Sequence, residues 1–154
     1  VTSAEQFSEF APFQRLTPTQ REAVAQLARP VDFTAGSRLF EEGQDAVGCW
    51  LIQVGQVALS TEVPGRGQVV VQTLGPGEVL GWSWLVPPHQ WQFTATAPGP
   101  VSAMELDTAR LLALAEHEPA MGYPLALGFC EILLTRLQSA RARLLDLYAN
   151  PRER

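Results

Sequence analysis

Across residues 31–106 the chain is cut into short apolar runs by glycine and proline, and this punctuation restricts the fold more than any other feature. Glycine has no Cβ and enters the left-handed turns that join strands, and both residues weaken a helix interior. The spacing predicts an all-β sandwich or barrel with strands over 31–34, 38–41, 49–53, 56–63, 67–74, 79–80, 92–96 and 101–105. Pro64-Gly65-Arg66-Gly67 carries proline and glycine where a type II turn needs them, and predicts a hairpin.

The flanks change period. Thr17-Pro18-Thr19-Gln20 reads as an N-cap followed by proline at the first helical position, and Ala23, Val24, Leu27 and Ala28 share one face, which predicts a helix over 18–28. Phe7, Phe10 and Phe13 recur every three residues and predict a short amphipathic helix docked on the domain. After Asp107 a helical run with Leu111, Leu112 and Leu114 precedes Pro119, and a long helix is expected over 124–149. Within it Ala126, Cys130, Leu133, Leu137, Ala140, Leu144 and Leu147 alternate steps of four and three, a heptad seam. Part of this seam packs on the chain's own β layer. Its distal portion, Leu133, Leu137, Ala140, Leu144 and Leu147, is expected to pair with a second copy as a homodimer. Cys130 is expected to pack as a small apolar side chain.

Length and charge remove several function classes. A chain of 154 residues suits one domain with a hydrophobic core. The composition, 46% hydrophobic and 18% charged, is that of a soluble protein, and no apolar run is long enough to span a bilayer. A net charge of -5 argues against direct nucleic-acid binding, which relies on clustered cations. All eleven basic residues are arginine, so no lysine is present for a phosphate loop or a Schiff base. His89 and His117 are the two histidines, too few for the metal cluster of a β-roll metalloenzyme. Glu41 and Glu42 read as a solvated turn rather than an acid–base pair. No catalytic residues, metal ligands or cofactor are assigned, and a cytoplasmic, non-enzymatic protein is expected.

Three glycine-bearing segments then appear in order: Gly36-Ser-Arg-Leu-Phe-Glu-Glu-Gly43, Cys49-Trp-Leu-Ile-Gln-Val-Gly55-Gln-Val57 and Gly77-Glu-Val-Leu-Gly81. With the flanking helices they resemble the cyclic nucleotide-binding domain of catabolite-activator-type regulators, protein kinase A regulatory subunits and gated channels. The resemblance implies a mainly β fold with flanking helices, a double-stranded β-helix (jelly roll) with N-terminal helices and a long C-terminal helix. Its parts would be helices over 1–29, the β-roll over 30–106 with a phosphate-binding cassette at 77–96, and C-terminal helices over 107–149, in one domain spanning 1–154. Regulators of this family carry a helix-turn-helix after the long helix. Asn150-Pro151 is expected to end the helix without room for such a DNA reader.

The resemblance also implies where a ligand would sit. The family places a ribose-binding glutamate directly after the second cassette glycine and a phosphate-binding arginine ten residues after that glycine; here those positions are Trp82 and Trp91, followed by Gln92. A guanidinium offers a cyclic phosphate a bidentate, charge-assisted pair, and its loss costs about 2–5 kcal/mol. The cassette candidates are Gly81, Trp82, Ser83, Trp84, His89, Gln90, Trp91 and Gln92, with Thr135, Gln138 and Ser139 on the long helix as further contacts. Backbone N–H groups at the start of a short helix over 81–84 are expected to face any anion. Three readings stay open: indoles filling the old pocket, an aromatic pocket for a different apolar, planar or cationic small ligand, and residual cyclic-nucleotide binding. The function implied is a non-catalytic regulatory or sensor module in which occupancy moves the cassette against the long helix. The alternative is a ligand-free scaffold that recruits an unknown protein partner. Arg136, Arg141 and Arg143 read as a solvated helix face.

Overall fold

The computed structural model describes residues 4–149. The chain opens with α1 (Ala4–Phe7), a 3-10 turn (Ala11–Phe13) and α2 (Pro18–Ala25), in place of one amphipathic helix through the three phenylalanines. Pro12 accounts for the interruption, since it donates no N–H and restricts the residue before it. Phe7, Phe10 and Phe13 are nonetheless all buried, with the rings of Phe7 and Phe13 edge to face at 5.3 Å. The start of α2 is a capping box: the Gln20 N–H donates to Thr17 Oγ1 and the Thr17 N–H donates to Gln20 Oε1. The helix stops at Ala25, earlier than expected, because Ala28 already pairs with Leu106 in the first strand.

Eight strands follow: β1 (Ala28–Phe33), β2 (Arg38–Phe40), β3 (Cys49–Val54), β4 (Val57–Val63), β5 (Gly67–Leu74), β6 (Val79–Leu80), β7 (Thr94–Thr96) and β8 (Val101–Leu106). They form two antiparallel sheets, ordered β1-β8-β3-β6 and β2-β7-β4-β5, the jelly-roll arrangement. The β4–β5 hairpin turns through Pro64 and Gly65. Arg66 N–H closes it on Val63 O at 2.9 Å, and Gly65 takes the positive φ of 82° that a type II turn places there.

Strands β8, β3 and β6 of the first sheet are buried on both faces, whereas β1 at its edge is not. Cys49, Leu51, Val79, Met104 and Leu106 point to a cluster shared with the helices, whereas Trp50, Ile52, Leu80, Val101 and Ala103 point between the sheets, where they meet Val57, Leu59 and Ala95. Four consecutive buried residues in β3 are therefore the alternation of a strand with apolar layers on either side.

Two helices complete the chain, α3 (Thr108–His117) and α4 (Pro119–Ala149). Asp107 caps α3 by accepting the Arg110 N–H. Pro119 begins α4 rather than lying in a gap before it, and Pro124, within the first two turns, is carried inside the helix. Met121, Leu125, Gly128 and Phe129 form its buried stripe. Gly128 is needed there, because a Cβ would sit 2.4 Å from Pro12 Cα. By length and composition α4 also reaches what a membrane span requires, contrary to the expectation from sequence. Its buried stripe packs on the domain, most of the helix beyond that stripe is exposed, and one such helix does not by itself make a membrane protein.

Candidate functional site

The cassette runs from Gly77 through β6 to β7. Gly81 ends β6 with a φ of 98°, and a Cβ there would stand 3.1 Å from Trp91 Cη2 and 3.2 Å from Gly48 O. Glycine thus permits both the turn and the approach of the indole. The short helix expected over 81–84 is absent. Residues 83–85 form a single turn, with the Leu85 N–H donating to Trp82 O, and the Trp84 indole N–H donates to Gly81 O at 3.0 Å. Pro87 and Pro88 lack the N–H groups that would extend this turn into a helix.

Trp91 occupies the space between the two sheets. It is 4% exposed, its ring lies parallel to Phe40 with centroids 3.8 Å apart, and Trp50 stands 5.9 Å away on the same cluster. Its backbone is strapped to the loop after β2, where Gly43 N–H donates to Trp91 O and Trp91 N–H to Gln44 O. The space left beside Gly81, Trp82, Ser83, Trp91 and Gln92 has a volume of about 10 Å³. That is the room of about one water, whereas ligand clefts are roughly 300–1,000 Å³.

The other candidates disperse. Trp84 packs in the cluster on the helix side of the first sheet and meets Phe129 edge to face at 5.4 Å. His89 and Gln90 are exposed on the segment bound to residues 44–46, with the Ala46 N–H donating to His89 O. On α4, Thr135 borders a groove next to Glu78 and Val79, Ser139 borders another facing Val71 and Phe93, and Gln138 is exposed outside both. Glu78 is exposed and accepts the Gly75 N–H. Cys130 is exposed rather than packed.

The residue that sequence reading missed is Arg136. It is half-buried rather than part of a solvated face, lines the remnant beside Gly81 and Trp91, and donates from Nη2 to Val79 O at 2.7 Å. Burial lowers its pKa, while the charges of Glu78 and Cys49 act in the opposite direction. Between Gly81 and Thr96 the cassette has no charged side chain of its own, so α4 supplies the cation at this point. The signal was available in the spacing: Arg136 follows Phe129 by seven and Ile132 by four, on the core-facing stripe. Below it the Cys49 thiol is pushed up to about 12 by burial, with Trp84 and Arg136 opposing.

The α4 seam lies roughly a quarter turn round the helix from the buried stripe. Leu137, Leu144 and Leu147 on the seam, and Leu134, Leu145 and Tyr148 beside it, are each at least half exposed in the single chain.

The model of the cyclic nucleotide-binding domain matches residues 30–118, more than half of the chain. A CRP-like cAMP-activated global transcriptional regulator of Mycobacterium tuberculosis is 25% identical over 135 residues, covering 88% of this chain and 58% of that protein. The chain therefore spans less than two thirds of the length of the curated relatives it matches. Among solved structures, a candidate cyclic nucleotide-binding protein from Geobacter metallireducens superposes with a TM-score of 0.80 at 28% identity, covering 89% of this chain and 99% of its own. The Thermus thermophilus catabolite activator protein gives 0.72 at 24% identity, covering 90% and 63%, a likeness of fold.

Proposed function

Because the chain belongs to the cyclic nucleotide-binding domain family, we propose that it acts as a non-catalytic regulatory module whose inner pocket does not hold cyclic AMP or cyclic GMP tightly. The observation that carries this reading is Trp91: its ring, stacked on Phe40, fills the position where the family resemblance puts a phosphate-binding arginine. Trp82 stands where the resemblance puts the ribose-binding glutamate, so neither anchoring side chain is present. The relative from Mycobacterium tuberculosis is a regulator by its description, which supports a signalling role over an enzymatic one. The module would work in the cytoplasm as a homodimer through Leu133, Leu137, Ala140, Leu144 and Leu147 of α4, on a protein partner, without touching nucleic acid or membrane itself.

A second reading is favoured by the exposed row of Leu134, Leu137, Leu145 and Tyr148: a ligand-free scaffold that uses α4 to recruit another protein. Titration with cyclic AMP and cyclic GMP, followed by tryptophan fluorescence, tests the main proposal. No saturable change up to millimolar nucleotide is expected, and saturation in the micromolar range overturns it.

A further inference from the structure

We infer that the groove between the distal half of α4 and β5 binds a free monocarboxylate with an apolar tail, anchored by Arg136 and Arg143. The inference rests on the reading above, that this module responds to something other than a cyclic nucleotide, and it names the chemistry of that ligand.

The groove lies outside the roll and has a volume of about 410 Å³, in the range of ligand clefts and far larger than the remnant inside. Val71 and Phe93 line it from the roll, Leu144 and Leu147 from the helix, and Arg136 and Arg143 line it as well. Arg136 and Arg143 are seven residues apart, two turns on one helix face and roughly 10 Å along the axis. Each guanidinium is steadied by a backbone carbonyl of the roll: Arg136 Nη2 donates to Val79 O and Arg143 Nη1 to Val71 O. One such bond leaves most of the five N–H donors of a guanidinium unused. Among the described residues the ion pairs involve Arg15, Arg29 and Arg38, and neither groove arginine is in one.

Two cations hydrogen-bonded to backbone carbonyls, with the Glu78 charge acting on Arg136, line an apolar trough and complement an anion with a hydrophobic body. A carboxylate matches the guanidinium fork bidentately, and the leucine and phenylalanine walls take the hydrocarbon. A nucleotide fits poorly, since Gln72 and Ser139 are the uncharged polar side chains that line the groove. The α4 of a second copy would set another Arg136, Arg141 and Arg143 with one acid, Asp146, beside these cations, so a carboxylate and not the partner helix neutralises the groove. The proposed dimer seam shares Ala140, Leu144 and Leu147 with the groove, so ligand and partner helix compete for it and decanoate is expected to lower the dimeric mass.

Decanoate is the probe, titrated calorimetrically into the full chain, with decan-1-ol, decyltrimethylammonium and anionic phosphatidylglycerol vesicles as separate arms. Saturable binding of decanoate at one per chain is expected, weakening about fourfold for each methylene removed from the tail. Arg143→Gln, on the exposed half of α4, should keep the fold by circular dichroism and weaken decanoate at least about tenfold; Arg136→Gln gives a second variant. Absence of saturable binding overturns the inference, as do equal binding of the alcohol or the cation, binding of vesicles alone, or an unchanged affinity in Arg143→Gln. If decanoate is silent and the mass doubles with protein concentration through residues of this groove, the occupant is a second copy and the inference fails. Cyclic AMP is run in parallel: saturation by the nucleotide sinks the parent reading, whereas failure with decanoate alone sinks only this one.

Discussion

The indole of Trp91 lies flat against the ring of Phe40, with centroids 3.8 Å apart and planes 13° from parallel. Phe40 comes from β2 and Trp91 from the segment entering β7, so this contact fastens the end of the cassette to the second sheet. Such pairs contribute about 0.5–1.5 kcal/mol beyond their buried area, and the area of a tryptophan adds more. Replacing Trp91 by alanine should lower the stability of the chain by about 3–5 kcal/mol in urea denaturation. A loss below about 1 kcal/mol would mean that the indole does not fill the core as described.

Gly128 predicts a steric effect. An alanine Cβ would meet the Pro12 backbone at 2.4 Å, and neither the 3-10 turn nor α4 has a flexible side-chain end to move aside. Gly128→Ala should cost about 1–3 kcal/mol by overpacking, against the small gain that alanine gives an unobstructed helix. A stabilised variant in thermal melting would contradict the close approach of α4 to the N-terminal segment.

The two thiols should separate cleanly by reactivity. Cys130 is exposed and Cys49 buried, so an aromatic disulfide reagent at pH 8 should label one thiol rapidly and the second only on unfolding, with Cys130→Ala abolishing the fast phase. Burial raises the Cys49 pKa from 9.0 to about 12 in the folded chain. The unfolded thiol thus loses its proton first, and the stability that Cys49 contributes is complete below pH 9 and declines as pH rises from about 9 towards about 12. The slope should approach about 1.4 kcal/mol per pH unit and be relieved in Cys49→Ala.

Association is tested at the exposed seam. Leu137→Glu combined with Leu144→Glu places four like charges in a two-fold pairing of α4 and should convert a dimeric mass to a monomeric one in light scattering, with the fold retained. An unchanged mass would remove α4 as the pairing element.

The roll was legible because its determinants are local. Pro64 and Gly65 specify a turn by themselves, and the glycines ending short runs place strand boundaries to within a residue or two. The site was legible only as positions. Trp82 and Trp91 are identified by their distance from Gly81, but their destinations depend on what space the rest of the fold leaves. Trp91 goes between the sheets beside Phe40, while Trp84, equally apolar in sequence, crosses to Phe129 on the helix side. Arg136 was obscured because an arginine on a helix usually marks the solvent face. The spacing from Phe129 and Ile132 places it on the core-facing stripe, but its partner, the Val79 carbonyl, is distant in sequence.

That single bond from Arg136 to the Val79 carbonyl also sets a mechanical ratio. From Arg136 to Ala149 the helix extends roughly 20 Å, at 1.5 Å per residue, with exposed positions throughout. It forms a lever whose fulcrum rests on the cassette strand and which the Arg143 bond to Val71 O of β5 stays partway along. A tilt of about 10° at the fulcrum sweeps the far end through roughly 3.5 Å, enough to slide one row of leucines out of register with whatever faces it.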